Sequence, residues 1–418
     1  MTEKILGDKL RSEVSAGQEV KVEPDYMIAY DFPGYTDKMF RQMYDDFGMR
    51  SLEDPERYVV FMDHMVTKGT EREREMHRVT QEWCDYYGIR AYEAEGIGHQ
   101  LTVELGFARP GKFLVHFDGH ISGIGAVNAL GWGIRRDLIE GWVTGGVTVT
   151  VPASVHIELR GELQPYVDSR DLLHTIISEL GADGCAHRVI EFTGDGATSL
   201  SMDQRQNLCG MAMFTGAVSA IFAPDDVLFS AMGPEVDTPY VYPDLDAEGF
   251  ESHHVIDLSD VTPRVVLPGS ARSANTVAES EVRGTEIQKA FIGSCVSGRV
   301  DDLRIAAKVI GDRKIAGNVQ LNVVPSSKQI YKTALAEGYI DVLARAGAVI
   351  AQSSCDFCFG YEKPLKEGEV SISTGVLNIS GRMGDPRAQI YMGSAATVAE
   401  SAVQGKIVSP VHERATES

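Results

Sequence analysis

Short apolar or β-branched runs alternate along this chain with longer stretches of helical spacing, and that alternation leaves few folds open to it. The runs "YVVFMDHM", "GKFLVHFDGH", "GVTVTVPASVHIEL", "GAVSAIFAPDD", "KAFIGSC", "VQLNVVP" and "AGAVIAQSSC" predict strands. Between them, "EREREMHRVTQEWCDYYG", "SRDLLHTIISELG" and "DDLRIAAKVIG" repeat apolar residues every three or four positions and stop at Gly. Strands separated by helices pair in parallel, which predicts an α/β protein with largely parallel sheets. At 418 residues the chain exceeds what one core supports. Three α/β units are expected, over 1–150, 151–275 and 276–418. The polar, Pro-containing stretch 236–254 reads as a connector.

Charge and cysteine usage remove several function classes. Lys and Arg number 39 against 60 Asp and Glu, a formal charge of -21, which opposes general binding to nucleic acid or anionic lipid. Apolar runs such as "VLARAGAVIA" reach about ten residues, whereas a membrane-spanning helix needs roughly 20. Six cysteines, at 84, 185, 209, 295, 355 and 358, are too few for a disulfide scaffold, and "MTEKILGDKLRSE" has no signal-like apolar core. The expected compartment is the reducing cytoplasm, where a Cys-x-x-Cys serves metal binding or catalysis more often than structure.

In α/β proteins chemistry collects beyond the C-terminal ends of parallel strands. Polar clusters stand there: Asp63 and His64 after "YVVFM", His99 and Gln100 in "GIGHQ", Asp118 and His120 in "FDGH", Cys295 after "KAFIGS", and Cys355 and Cys358 after "AGAVIAQSS". Singly, each has an ordinary explanation as a satisfied structural residue. Cys355 and Cys358 can share a metal centre, form a redox disulfide or sit buried. If Cys295 follows a parallel strand of the same sheet, the three thiolates could converge, leaving one position open to substrate on a centre that usually takes four protein ligands.

"FIGSCVSGRVDDLRIAAKVI" and "AGAVIAQSSCDFCFG" resemble the two cysteine motifs of the aconitase superfamily, most closely the large subunits of 3-isopropylmalate dehydratase-type hydro-lyases. "GIGHQLTVELGFARPGKFLVHFDGH", "GADGCAHRVIEFTGDGATSLSMDQRQ", "NVVPSSKQIYKTALAEGYI" and "RMGDPRAQIYMGSAATVAESAVQGKI" extend the resemblance over most of residues 20 to 410. The resemblance implies three α/β/α domains around a [4Fe-4S] cluster held by Cys295, Cys355 and Cys358, with one iron lacking a protein thiolate. It implies a separate small subunit carrying the swivel domain and the serine that removes the carbon-bound proton. The implied reaction is reversible dehydration or hydration of a hydroxy acid or its unsaturated acid. Asp63 with His64 match the pair that protonates the leaving hydroxyl, His99 with Asp118 match a second pair, and His120 matches the histidine of the Asp-Ser-His motif. The substrate-contacting set carried over is Gly119, Phe214, Ser297, Arg299, Leu377 and Arg382.

The departures from the family are confined to one kind of change. Asp-Ser-His-Thr is here Asp118, Gly119, His120, Ile121. Gly210 and Phe214 follow Cys209 where the family has Asn and Glu, and Thr-Asn after the first cysteine has become Val296, Ser297. Asn-Arg-Asn-Phe is Val376, Leu377, Asn378, Ile379, although Arg382 remains. Losing an arginine that grips a carboxylate in a bidentate contact is not a neutral exchange. The sequence therefore predicts a divergent hydro-lyase with a less polar pocket, for which citrate, isocitrate and 3-isopropylmalate are poor substrates. The alternative is a non-catalytic or regulatory iron–sulfur relative that has lost part of its active site.

Overall fold

The structure, a computed structural model, describes residues 1–30, 35–134, 138–233, 237–245, 249–269 and 274–410. It is built on three largely parallel sheets, as the alternation predicts. The first has five parallel strands in the order Arg90–Glu93, Tyr58–Met62, Tyr26–Tyr30, Phe113–His116, Leu130–Gly133. Its inner strands are continuous apolar runs because both faces are covered. The two-residue period divides them between two cores: Met27, Val60 and Val115 pack with Phe40, Cys84 and Trp142 on one side, and Ile28, Val59, Phe61 and Leu114 pack with Leu101 and Ile124 on the other.

The second sheet has four parallel strands, Ser219–Phe222, Val189–Thr193, Ser154–Arg160 and Phe250–Asp257. Two expectations change here. The run 146–159 is not one strand: Val147–Thr150 pairs antiparallel with Glu19–Val22, and Ser154–Arg160 begins only after Pro152, which cannot donate to a ladder. The stretch read as a connector contributes the edge strand Phe250–Asp257, whose polar character reflects alternate exposure at the sheet margin. Residues 236 and 246–248 of that stretch lie outside the described residues.

The third sheet has seven strands: Thr276–Ala278, Arg264–Val266, Gln389–Met392, Val370–Ser373, Lys289–Ile292, Gln320–Val323 and Val349–Ile350. The last five run parallel, so the loops after Val370–Ser373, Lys289–Ile292 and Val349–Ile350 leave from one edge. Arg264–Val266 and Thr276–Ala278 add an antiparallel margin drawn from both sides of residue 275. A buried cluster joins the four-stranded sheet to the cysteine loops, with Ile157, Phe192 and Leu208 in contact with the same core as Phe291, Phe357 and Cys358.

One helix fixes how the sheets meet. Met202–Met211 opens with a capping box between Ser201 and Gln204, worth about 1 kcal/mol. Fully buried Arg205 donates from Nη1 and Nη2 to Asp225 at 2.8 and 2.5 Å, from Nη2 to the Ala197 carbonyl and from Nε to the Leu200 carbonyl. The helix lies against the 3-10 segment Gly119–Val127, where a Cβ on Gly125 would stand 1.7 Å from the Ala220 carbonyl oxygen. No larger residue fits that approach. Asp225→Ala would leave the guanidinium buried without its counter-charge, and urea titration is expected to show a loss of about 3 kcal/mol.

Candidate functional site

Asp63 and His64 leave the end of Tyr58–Met62, and the acid is used three ways. Its Oδ2 accepts the Gly98 N–H at 2.8 Å, its Oδ1 lies 2.7 Å from His64 Nδ1, and its carbonyl accepts the Cys355 N–H at 2.9 Å. The first sheet and the cysteine loop are thereby pinned together. Asp356 completes the clasp by accepting the backbone N–H groups of Met65 and, at 3.1 Å, Val66. The His64 ring stands edge-on to Phe359, with centroids 4.8 Å apart.

A second acid–histidine group forms after Phe113–His116. Asp118 caps the 3-10 segment by accepting the His120 N–H at 2.6 Å, and the same oxygen meets His120 Nδ1. Buried His120 Nε2 has no partner among the described residues. Burial raises the Asp118 carboxyl pKa, but the charge and hydrogen bond of His120 outweigh it and hold the group well below the ordinary carboxylate value. His99, whose ring centroid lies 6.0 Å from that of His120, is pushed well below the usual histidine value by desolvation and then by His116. Desolvation likewise takes His116 down to about 4, so both rings are neutral near pH 7. His116 was not singled out from the sequence. Its Nδ1 accepts the Asp118 N–H at 2.7 Å, and the only sequence signal was its place two residues ahead of an acid at a strand end.

The three cysteines arrive from the third sheet. Cys295 follows Lys289–Ile292 through Ser294, a non-glycine residue at φ 111°, a conformation costing about 1–3 kcal/mol that the Ser294 Oγ bond to the Thr374 carbonyl helps hold. Cys355 and Cys358 follow Val349–Ile350 and open the short helix Asp356–Phe359. Desolvation raises the Cys295 and Cys355 thiols well above their ordinary value, helped by Asp118 and then Cys358 at the first and by Asp63 and then Cys295 and Cys358 at the second. Free thiols in this position stay protonated, whereas a soft metal centre would take them as thiolates. Arg382 Nη2 lies 3.8 Å from Cys358 Sγ, and its guanidinium stacks 3.5 Å from the Phe359 ring centroid. Three thiols lining one cavity with a cation alongside have the donor chemistry that a [4Fe-4S] centre takes. Donor atoms of Asp63, His64 and Cys355 also lie within 4.8 Å of one another, but Asp63 already serves Gly98 and His64.

Both groups open on one cavity of about 1620 Å³. Cys295, Cys355 and Cys358 line it with His64, His99, Asp118 and His120, and Asp63 stands behind His64. Gly119, Phe214, Leu377 and Arg382 of the expected substrate set also line it, joined by Val376, Ile379 and Met213. Ser297 and Arg299 do not. Ser297 is buried, and Arg299 spends its guanidinium on Gln100 Oε1 at 2.9 Å, Asn207 Oδ1 and the Cys295 carbonyl, bracing the loop from beneath.

Fold and site together define a multi-sheet α/β protein whose strand ends set two acid–histidine groups against three thiols in one cavity. A model of the Aconitase family (aconitate hydratase) matches residues 36–405, and the chain belongs to that family. It is 38% identical over 425 residues to a protein named as probable methanogen homoaconitase large subunit from Methanothermobacter thermautotrophicus, covering 99% of this chain and 98% of that one. It is 34% identical to 3-isopropylmalate dehydratase large subunit 1 of Methanopyrus kandleri, covering 98% of each, and 35% identical to the 3-isopropylmalate dehydratase large subunit of Aquifex aeolicus, covering 98% and 96%. The crystal structure of Thermococcus kodakaraensis aconitase X in its holo form superposes with a TM-score of 0.50 over 90% of this chain and 92% of that one; at 10% identity this shows the shared fold. The family resemblance read from the cysteine motifs is thus confirmed.

Proposed function

We propose that this chain is the large, cluster-bearing subunit of a hydro-lyase that interconverts a hydroxy acid and its unsaturated acid, with a cytoplasmic setting and a small swivel-domain subunit as partner. The observation that carries the reading is the convergence of Cys295, Cys355 and Cys358 with the Asp63–His64 and Asp118–His120 pairs on one cavity. The names of the relatives as large subunits, matched over nearly their full length, support a partner. No helix among the described residues is long and apolar enough to cross a membrane.

Cys295, Cys355 and Cys358 would hold the [4Fe-4S] cluster, which when bound supplies a Lewis-acidic iron to stabilise charge on the departing oxygen. The protein's own groups do the rest. Asp63 at His64 Nδ1 fixes the tautomer and leaves the far nitrogen to deliver or receive the proton of that hydroxyl. Asp118 orients His120 in the same way. Arg382, whose Nε finds no partner among the described residues, is placed to hold one carboxylate. Phe214, Phe359, Val376 and Leu377 keep water from the reacting end.

Of the two arginines that line the cavity among the described residues, Arg188 is paired with Glu251 and Arg382 lies beside Cys358, while by the family resemblance Leu377 stands where a second cation would be. A tricarboxylate would bury a charge against apolar wall, at a cost of several kcal/mol. Steady-state assays of the reconstituted complex are therefore expected to show poor turnover of citrate and isocitrate, with preference for an acid having fewer carboxylates and an apolar arm. Leu377→Arg should move the preference at least tenfold toward the more charged acids. Efficient citrate turnover by the unaltered enzyme would contradict this pocket.

A further inference from the structure

Several of the residues read above as departures from the family lie against a side chain that occupies the space a larger residue would take. A Cβ on Gly119 would lie 3.2 Å from Met213 Sδ and 3.4 Å from its Cε, and one on Gly210 would lie 3.0 Å from Val296 Cγ1. The Phe214 ring faces that of His120 at 5.9 Å. Neither missing side chain has left a hole, because a neighbour has filled it. At position 119 the backbone is not left-handed, so conformation does not demand glycine there, but any side chain added would crowd the Met213 thioether. Met213 lines the cavity with Asp118 and His120.

We propose that Met213, seated over Gly119, sets the size of the alkyl substituent that this pocket accepts on a hydroxy acid. The inference rests on the hydro-lyase reading and specifies its substrate class. An unbranched thioether is a deformable stop: it occupies depth that a shorter side chain would release, without a polar group to hold a hydroxyl or carboxylate there. Truncation to Ala removes the stop and leaves the acid–histidine groups in place. Pockets of this kind discriminate about 10–200-fold per methylene.

The test uses malates carrying hydrogen, methyl, ethyl or isopropyl at C3 as probes, with binding measured by calorimetry on the cluster-loaded two-subunit enzyme. Met213→Ala is expected to move the tightest-binding member at least one carbon longer and to improve the ratio of longer to shorter arm about tenfold or more. Met213→Leu, which keeps the volume, is expected to retain the wild-type order. In parallel, Gly119→Ser should lower the thermal midpoint in the wild-type background and not in the Met213→Ala background, a coupling that reads the contact without any ligand. An unchanged order in Met213→Ala, with the wild type still binding the series, overturns the role of Met213 while leaving the hydro-lyase reading standing. Absence of binding to every member by the wild type overturns both, and absence of coupling between positions 119 and 213 overturns the seating on which the role depends.

Discussion

Cys355→Ser is expected to yield a folded protein that retains neither iron nor activity after anaerobic reconstitution. The backbone at residue 355 is held by its N–H bond to the Asp63 carbonyl, and Asp356 is clasped by Met65 and Val66, so the loop stays in place when the thiol is changed. A serine hydroxyl does not ionise for a soft metal as a thiolate does, and two remaining thiolates cannot close the proposed cluster. Loss of the broad visible absorbance and of acid-labile sulfide, with an unaltered far-ultraviolet circular dichroism spectrum, is the expected pair of results. Cys209→Ser is the contrasting variant: that thiol is fully buried on the helix Met202–Met211 and does not line the cavity, and iron content should not change. Normal iron in Cys355→Ser would refute the ligand assignment.

The second large effect is expected at His64. Its ring is packed on Phe359 and paired with Asp63, and it is not one of the three thiols proposed to hold the cluster. His64→Gln should therefore keep the cluster while lowering kcat by about 10²–10⁴-fold, the range that loss of a positioned general acid removes. KM should move much less, because Arg382 and the apolar wall are untouched. Asp63→Asn is a less clean variant, since the Asp63 side chain also accepts the Gly98 N–H. A His64→Gln enzyme with wild-type turnover and full iron would remove His64 from the chemistry.

Much of this architecture was legible because the functional groups follow strands whose apolar runs are hard to mistake: "YVVFM" before Asp63, "FLVH" before Asp118 and "KAFI" before Cys295 all form buried parallel strands. What escaped was set by tertiary surroundings. Tyr26–Tyr30, at the centre of the first sheet, is a five-residue run too short to separate from a helix fragment by period alone. Phe250–Asp257 carries the polarity of a sheet margin and so read as a connector. His116 looked like one more strand residue until the fold turned its Nδ1 onto the Asp118 N–H. Met213 carried no chemical signal at all; only its seat against Gly119, where an added Cβ would lie 3.2 Å from the Met213 sulfur, gives it meaning. Arg299 shows the reverse case, a cation beside a cysteine motif that the fold directs inward to Gln100 and Asn207.

The central claim is that Cys295, Cys355 and Cys358 hold one cluster whose remaining iron faces the acid–histidine groups. Mössbauer spectroscopy of the chain reconstituted with isotopically enriched iron tests it most directly, recorded before and after addition of the best-binding hydroxy acid from the C3-substituted malates. The account predicts one iron site distinct from the others, and a change confined to that site when the acid binds. Equivalent iron sites, or a spectrum that the acid leaves unaltered, would contradict it.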